Sequence, residues 1–175
     1  YTPIEWGTWR TGGHAVMVLS CDENADLLDA ESWTFSEPLP YNPKWEGIPE
    51  GFSNGNIEGN IIRHPDGNLY NIMRYEMRYL VPDRGLILAY KINEEDPEAP
   101  MEFSHSIKFP ANATKFAIKK DEVSGKFYSI ANRLTPERHQ GARNLLSLMV
   151  SDDLENWEVA CDIIDARDKD PQYTG

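Results

Sequence analysis

The sequence predicts an all-β protein, and more specifically a partial β-propeller. Its apolar segments are short and separated by turn residues, and no long amphipathic helix is evident. The hairpin glycines Gly67 and Gly125 lie 58 residues apart, and similar apolar segments follow both. Trp33 and Trp157 each follow an acidic turn and lie 124 residues apart, or about two such periods. Propellers repeat a four-stranded sheet, whereas a β-sandwich, the alternative, would share this spacing only by coincidence.

The first repeat is a partial blade at residues 14–40. It begins with the β-branched apolar segment 14–20 (His-Ala-Val-Met-Val-Leu-Ser), which ends at acidic turn residues. Its next strand lies at 32–40, where polar and apolar residues alternate until two prolines end the strand. Between these strands, residues 27–30 are expected to form a short helical turn.

The second repeat is a full blade at residues 57–110. A hairpin joins the strands 60–63 and 68–74 through His-Pro-Asp-Gly, a turn whose glycine can adopt a positive φ. The third strand, 86–92, ends at an acidic turn. The fourth strand, 101–109, ends where Pro110 removes a backbone donor.

The third repeat is a full blade at residues 115–164. Two hairpins form it, with the turns Asp-Glu-Val-Ser-Gly and Ser-Asp-Asp-Leu-Glu-Asn, and a short helical turn is expected between them at 136–144. The chain would thus supply about two and a half four-stranded blades of a five- or six-bladed ring. Both ends of the chain look cut, so the missing blades are expected from the rest of a longer chain or from another subunit.

Charge and composition exclude several classes of protein. The chain of 175 residues carries 17 Lys and Arg against 29 Asp and Glu, a net charge of -12, which argues against binding of nucleic acid. No apolar segment approaches the roughly 18 residues that a membrane span needs. Cys21 and Cys161 lack the spacing of a metal site and are expected to be free, largely buried thiols. We expect neither a cofactor nor a metal ion.

One turn in the third repeat resembles a known motif. The segment Ser151-Asp-Asp153-Leu-Glu-Asn-Trp157 resembles the Asp-box (BNR repeat) turn of sialidase-like propellers, Ser-x-Asp-x-Gly-x-Thr-Trp, although it lacks the glycine and its tryptophan comes one position early. Segments 11–14, 58–60, 65–67 and 71–74 are also similar to those of glycoside hydrolases related to sialidases. Within the turn, Ser151, Asp153 and Trp157 are expected to be structural, because such side chains bond the backbone of the turn itself.

The resemblance implies a function and a location. It implies a secreted or periplasmic protein that hydrolyses a glycosidic bond of an acidic or otherwise anionic glycan. The alternative is a propeller that binds a glycan or a protein without cleaving it, because propeller folds serve many functions. A lyase or another sugar-modifying enzyme that uses His14 as its base is a third possibility.

The arginines are distributed unevenly over the predicted blades. Seven of the nine fall at the rim where first strands begin and second strands end, whereas the turns of the opposite rim are acidic; the seven are Arg10, Arg74, Arg78, Arg84, Arg133, Arg138 and Arg143. Because guanidinium groups pair bidentately with carboxylates, this distribution indicates an anionic ligand at that rim. The alternative is a set of surface ion pairs of little energetic value.

Two residues at this rim are the candidate catalytic groups. Glu58 starts an inner strand, and the adjacent Gly59 would allow a ligand to approach the backbone closely. Since glycosidases use carboxylates, Glu58 could act as an acid, a base or a nucleophile, with Glu76 a weaker second candidate; the alternative for Glu58 is an ion pair that holds an arginine. His14 starts another strand at this rim, although a lone histidine is often purely structural.

Further polar residues at the same rim are candidates for binding the substrate. These are Arg10, Arg74, Lys115, Asn132 and Arg143. The segment Asn112-Ala-Thr also fits the glycosylation sequon, a common chance match.

Overall fold

The computed structural model describes residues 1–6, 14–51, 53, 55–76, 85–135 and 142–169. These residues form β-strands and one 3₁₀ turn, Ala30–Ser32, and contain no α-helix, which confirms the prediction of an all-β protein. The described part therefore holds no helix that could span a membrane. The strands are β1 (Thr2–Trp6), β2 (Ala15–Ser20), β3 (Thr34–Phe35), β4 (Leu39–Pro40), β5 (Asn56–Arg63), β6 (Leu69–Tyr75), β7 (Leu86–Lys91), β8 (Glu102–Lys108), β9 (Ala117–Lys120), β10 (Phe127–Asn132), β11 (Leu145–Ser151) and β12 (Glu158–Asp165).

The strands form three four-stranded antiparallel sheets. Sheet I has the order β1-β2-β3, and β4 also pairs with β2; sheet II has the order β5-β6-β7-β8, and sheet III has the order β9-β10-β11-β12. Neighbouring strands in sheets II and III are thus also consecutive in the chain, as expected where short turns connect antiparallel strands. None of these sheets closes on itself.

Strand β1 was missed by the sequence analysis. It pairs with β2 from Thr2 opposite Leu19 to Trp6 opposite Ala15. A five-residue segment that contains a proline gives a weak strand signal, and residues 7–14 separate it from its partner β2, so the local sequence pattern does not predict it.

Sheet II is the middle layer, and successive residues of its strands point alternately into two hydrophobic cores. One side of β6 contributes Leu69 and Met73 to a core shared with Val16 of sheet I. The other side contributes Tyr70 and Ile72 to a core shared with sheet III. Because both faces are covered, all seven residues of β6 are buried.

Polar contacts also join sheets II and III. Asn60 of β5 accepts a hydrogen bond from the backbone N–H of Ile118 at 3.1 Å and donates one to the Phe116 carbonyl at 3.4 Å. Nearby, Trp157 packs edge-on against Phe109, with ring centroids 5.2 Å apart. The first strands of sheets II and III therefore lie next to each other.

Equivalent turns recur in the three sheets. Gly67 and Gly125 have φ values of 89° and 74°, so both predicted hairpin turns use the left-handed region that glycine tolerates. After β2, β7 and β11, an Asx side chain two positions beyond the strand accepts backbone N–H bonds from its own turn; these residues are Asp22, Asn93 and Asp153. The repetition thus includes hydrogen-bonding chemistry as well as strand order.

The turn after β11 satisfies its own polar groups. The Ser151 hydroxyl accepts the Leu154 N–H at 2.9 Å, and the Trp157 indole N–H donates to the Leu154 carbonyl at 2.8 Å. Burial raises the pKa of Asp153, but hydrogen bonds from Asn156, Glu155 and Ser151 outweigh it, and the pKa falls to about 2. The carboxylate is a fixed part of the turn, since it stays ionised over the ordinary pH range.

Two other sequence features differ from expectation. The two cysteines are free, but Cys21 is only half-buried and Cys161 is exposed, because Cys161 lies on the edge strand β12, whose residues are almost all exposed. The sequon residue Asn112 is buried, and its side-chain amide donates to the carbonyls of Arg133 and Ala142. The amide that a glycan would modify is therefore engaged within the fold.

Candidate functional site

Glu58 lies at a bulge in β5. The pairing of β5 with β6 shifts register between Ile57 and Gly59, so Glu58 is the additional residue. Its φ is 50°, a left-handed conformation that is unfavourable for a residue with a side chain. Bulges of this kind redirect a side chain out of the regular alternation of a strand, and strained residues concentrate at functional sites.

The Glu58 side chain belongs to a charged triad with Arg74 and Glu76. Arg74 Nη1 lies 2.7 Å from Glu58 Oε2, and Arg74 Nη2 lies 2.9 Å from Glu76 Oε2. The side chains of Arg74 and Glu76 are 7% and 0% exposed, whereas Glu58 is 31% exposed. The triad is thus a buried ion pair that holds one carboxylate, that of Glu58, at the surface.

Both terminal nitrogens of Arg74 are bonded to carboxylates of the protein. Its Nε is buried and makes no hydrogen bond within the described residues. The predicted substrate-binding residue Arg74 therefore uses one N–H of each terminal nitrogen to hold the carboxylates of Glu58 and Glu76. The sequence contained a signal for part of this arrangement, because residues two apart on a strand, such as Arg74 and Glu76, project from the same face.

Backbone and hydroxyl hydrogen bonds fix the place where the triad sits. The Glu76 N–H donates to the Gly55 carbonyl at 2.8 Å, and the Ser53 hydroxyl donates to the Glu76 carbonyl at 2.6 Å. The start of β5 and the end of β6 are thereby joined. We call this end of the sheets, where β5 begins and β6 ends, the Glu58 rim.

Tyrosines that the sequence analysis did not single out line the core beneath this rim. The hydroxyls of Tyr41 and Tyr75 lie 2.8 Å apart, and Tyr90 donates to Asn56 Oδ1 at 2.8 Å. Burial raises the pKa of Tyr41, as does its hydrogen bond with Tyr75, and burial likewise raises the pKa of Tyr90. The phenols of Tyr41 and Tyr90 therefore stay neutral, and they act as hydrogen-bonded packing groups.

Side chains of the protein fill the space beside Gly55 and Gly59, the two glycines that flank the start of β5. A Cβ on Gly59 would overlap with Asn71 Oδ1 and would lie 2.8 Å from the Pro3 side chain. A Cβ on Gly55 would lie 3.0 Å from the Tyr41 ring. The expectation that Gly59 leaves space for a ligand is therefore wrong, because protein side chains already fill that space.

His14 lies at the Glu58 rim, directly before β2. A Cβ on Gly55 would lie 3.3 Å from the His14 backbone nitrogen, so this histidine is close to the start of β5. Its side chain is buried. His14 and Glu58 thus lie at the same end of sheets I and II, and His14 is much less accessible than Glu58.

The remaining candidates lie at the corresponding end of sheet III or outside the described residues. Lys115 and Arg143 are exposed and precede β9 and β11, and Asn132 ends β10 half-buried. No hydrogen bond or ion pair among the described residues joins these three to Glu58. Arg133 pairs with Asp162 at 3.1 Å on the surface. The other rim arginines named from the sequence lie outside the described part of the chain; they are Arg10, Arg78, Arg84 and Arg138.

Comparison with known proteins found no match to this chain among family models, curated proteins or solved structures. Within the described ranges, no group of three or more His, Cys, Asp or Glu side chains is arranged to hold a metal ion.

Proposed function

We propose that this chain is part of a sialidase-like β-propeller that acts on carbohydrate and hydrolyses a glycosidic bond at the Glu58 rim. The observation that carries this proposal is Glu58 itself. It is a partly exposed carboxylate, displaced by a strained bulge and held by a buried Arg74–Glu76 pair. A fixed carboxylate of this kind can accept a hydrogen bond from a sugar hydroxyl, attack an anomeric carbon or activate a water molecule.

The stacking of the sheets supports the propeller. Sheets I, II and III are stacked in chain order, and β5 contacts both β1 and β9. No sheet in the described part of the chain covers the outer face of sheet III, where the apolar side chains of Ile130 and Ile164 are exposed. On sheet I, Phe35 is exposed in the same way. In our proposal further blades, from the rest of a longer chain or from another subunit, cover both faces and close the ring.

Hydrolysis requires a second acidic group. Glu76 cannot serve directly, because its side chain is fully buried and paired with Arg74. In the proposed mechanism Glu58 acts as nucleophile or base, Arg74 and Glu76 position it, and an acid from outside the triad protonates the leaving oxygen. The separation between that acid and Glu58 would decide whether the configuration is retained or inverted.

The preference for an anionic glycan rests on exposed cations at the end of sheet III, since Arg10 lies outside the described residues. Since Arg74 is committed to protein carboxylates, the exposed cations Lys115 and Arg143 are the described candidates for binding an acidic sugar. Asn132 would bond a hydroxyl. Without a second acid the same surface would bind a glycan and leave it intact, and the single exposed carboxylate of the triad favours this second candidate function.

A screen of oligosaccharides distinguishes the two functions. The protein is incubated with aryl glycosides and with neutral, uronate-containing and sialic acid-containing oligosaccharides, while released sugar and binding heat are measured separately. Hydrolysis predicts release of sugar from an anionic substrate. Binding without release would support the non-catalytic module, and an absence of both would contradict action on carbohydrate.

A further inference from the structure

A second cluster of titratable groups lies at the end of the sheets opposite the Glu58 rim. Glu155, in the turn after β11 of sheet III, accepts hydrogen bonds from His105 Nε2 of β8 at 2.9 and 3.0 Å. His64, which follows β5, places its Nε2 3.3 Å from the same carboxylate, outside hydrogen-bond geometry but within ion-pair range. Two imidazoles of sheet II thus converge on one carboxylate of sheet III.

Both sides of this contact are held by the local structure. The Glu155 N–H donates to Asp153 Oδ1 at 2.9 Å, so the self-bonded turn after β11 fixes the backbone of Glu155. On sheet II, His105 Nδ1 lies 2.8 Å from the Ser104 hydroxyl. All three side chains of the contact are partly withdrawn from solvent, and His64 is the most buried of them. An ion pair formed there is screened less than one on an open surface.

We propose that Glu155, His105 and His64 form a proton-operated latch between sheets II and III. When His105 is protonated, its imidazolium pairs with Glu155 across the junction. When His105 is neutral, the carboxylates of Glu155 and Asp66 remain at the junction, but His105 no longer supplies a positive charge to pair with them. The contact between sheets II and III is therefore more stable in mildly acidic solution than in alkaline solution.

The charges that act on His105 support this direction. The hydrogen bond to Glu155 raises the pKa of His105, burial opposes this shift, and the charges of Glu155 and Asp66 add to it. Burial raises the pKa of Asp66, but hydrogen bonds from Asn68 and His64 bring it down to about 2, so Asp66 stays ionised. Tyr70 faces the same groups, and its hydroxyl donates a hydrogen bond to Asp66. Its phenol carries no positive charge.

The sign of the effect follows from the raised pKa. A histidine whose pKa is higher in the folded state than in the unfolded state stabilises the fold when it is protonated. This stabilisation is fully present at pH values below the pKa of the unfolded state, near 6.5, and it is lost as the pH rises through the pKa of the folded state. The latch is thus closed in mildly acidic solution. This inference concerns the opposite end of the sheets and does not depend on the function proposed for Glu58.

The test compares Glu155→Gln with Glu94→Gln. Glu94 follows β7 at the equivalent turn and pairs with Arg63 rather than with a histidine, so its variant is a matched control. The pKa of His105 is measured by NMR, and the urea midpoint is measured at pH 5.5 and at pH 8. We expect Glu155→Gln to move the pKa of His105 down towards 6.5 and to lower the urea midpoint more at pH 5.5 than at pH 8.

The Glu94→Gln variant should leave the pKa of His105 unchanged and lower the urea midpoint equally at the two pH values. An unchanged His105 pKa in Glu155→Gln, or an equal loss at both pH values, would overturn the latch. If Glu155→Gln does not fold, His105→Gln replaces it. That variant should lose more stability at pH 5.5 than at pH 8, and an equal loss would again contradict the proposal.

Discussion

Replacement of Arg74 by methionine tests the triad most severely. The substitution keeps much of the aliphatic volume and removes the charge that compensates Glu76. Because Glu76 is fully buried and Arg74 is 7% exposed, the variant takes a guanidinium group away from a carboxylate in the interior. Breaking a buried pair in this way costs about 3–5 kcal/mol, which is a large part of the roughly 5–15 kcal/mol by which domains are stable.

Two further variants isolate the cause of this loss. Arg74→Met combined with Glu76→Gln removes both buried charges, so it should be clearly more stable than Arg74→Met alone. Arg133→Met breaks a pair with Asp162 whose side chains are 40% and 34% exposed, and it should cost about 0–1 kcal/mol. All variants are compared by urea unfolding followed by tryptophan fluorescence and circular dichroism.

A buried ion pair between Arg74 and Glu76 predicts a particular order of stabilities among these variants. Arg133→Met should be closest to the wild type, the double variant intermediate and Arg74→Met the least stable. If Arg74→Met cost no more than Arg133→Met, the triad would not be a buried ion pair, and the account of how Glu58 is held would be wrong. If the double variant were no more stable than Arg74→Met, the loss would come from packing rather than from the broken ion pair.

Two other substitutions test packing and turn chemistry. Gly59→Ala should cost about 1–3 kcal/mol in urea unfolding through contact with Asn71 and Pro3, and Asn71→Ala in the same chain should recover part of this loss; an unaffected Gly59→Ala would contradict the close packing. Asp153→Ala should cost about 1–3 kcal/mol near neutral pH, because it removes charge-assisted bonds in the turn after β11. Since the pKa of Asp153 is lowered to about 2, its contribution should disappear as pH falls from about 4 towards 2, and a pH-independent difference would refute this assignment.

Much of the fold could be predicted because its signals are local. Alternating residues and β-branched segments located most strands, and the turn glycines Gly67 and Gly125 located two hairpins. Strand β5 begins at Asn56, four residues before the hairpin strand predicted at 60–63, because a bulge at Glu58 interrupts the alternation of the strand. The local pattern is therefore weakest where the candidate site lies.

The features that could not be predicted depend on contacts between distant segments. The space beside Gly59 is filled by Asn71 and Pro3, and no local pattern in the sequence shows this. Glu155 and His105 are 50 residues apart in the sequence, and they form a hydrogen bond because sheets II and III stack on each other. Glu58 could be singled out from its position between glycines, but its pairing with Arg74 follows from the register of β5 and β6.

The central claim is that the Glu58 carboxylate acts on carbohydrate. The most direct measurement is kcat/KM of Glu58→Gln relative to wild type on the oligosaccharide that gives release in the screen, with Glu102→Gln, an exposed strand carboxylate, as the matched control. Since Glu58 is partly exposed, Glu58→Gln should fold with little change in urea midpoint and lose roughly 100-fold or more in kcat/KM. Glu102→Gln should retain the wild-type rate. A Glu58→Gln variant that is as active as wild type would contradict the account.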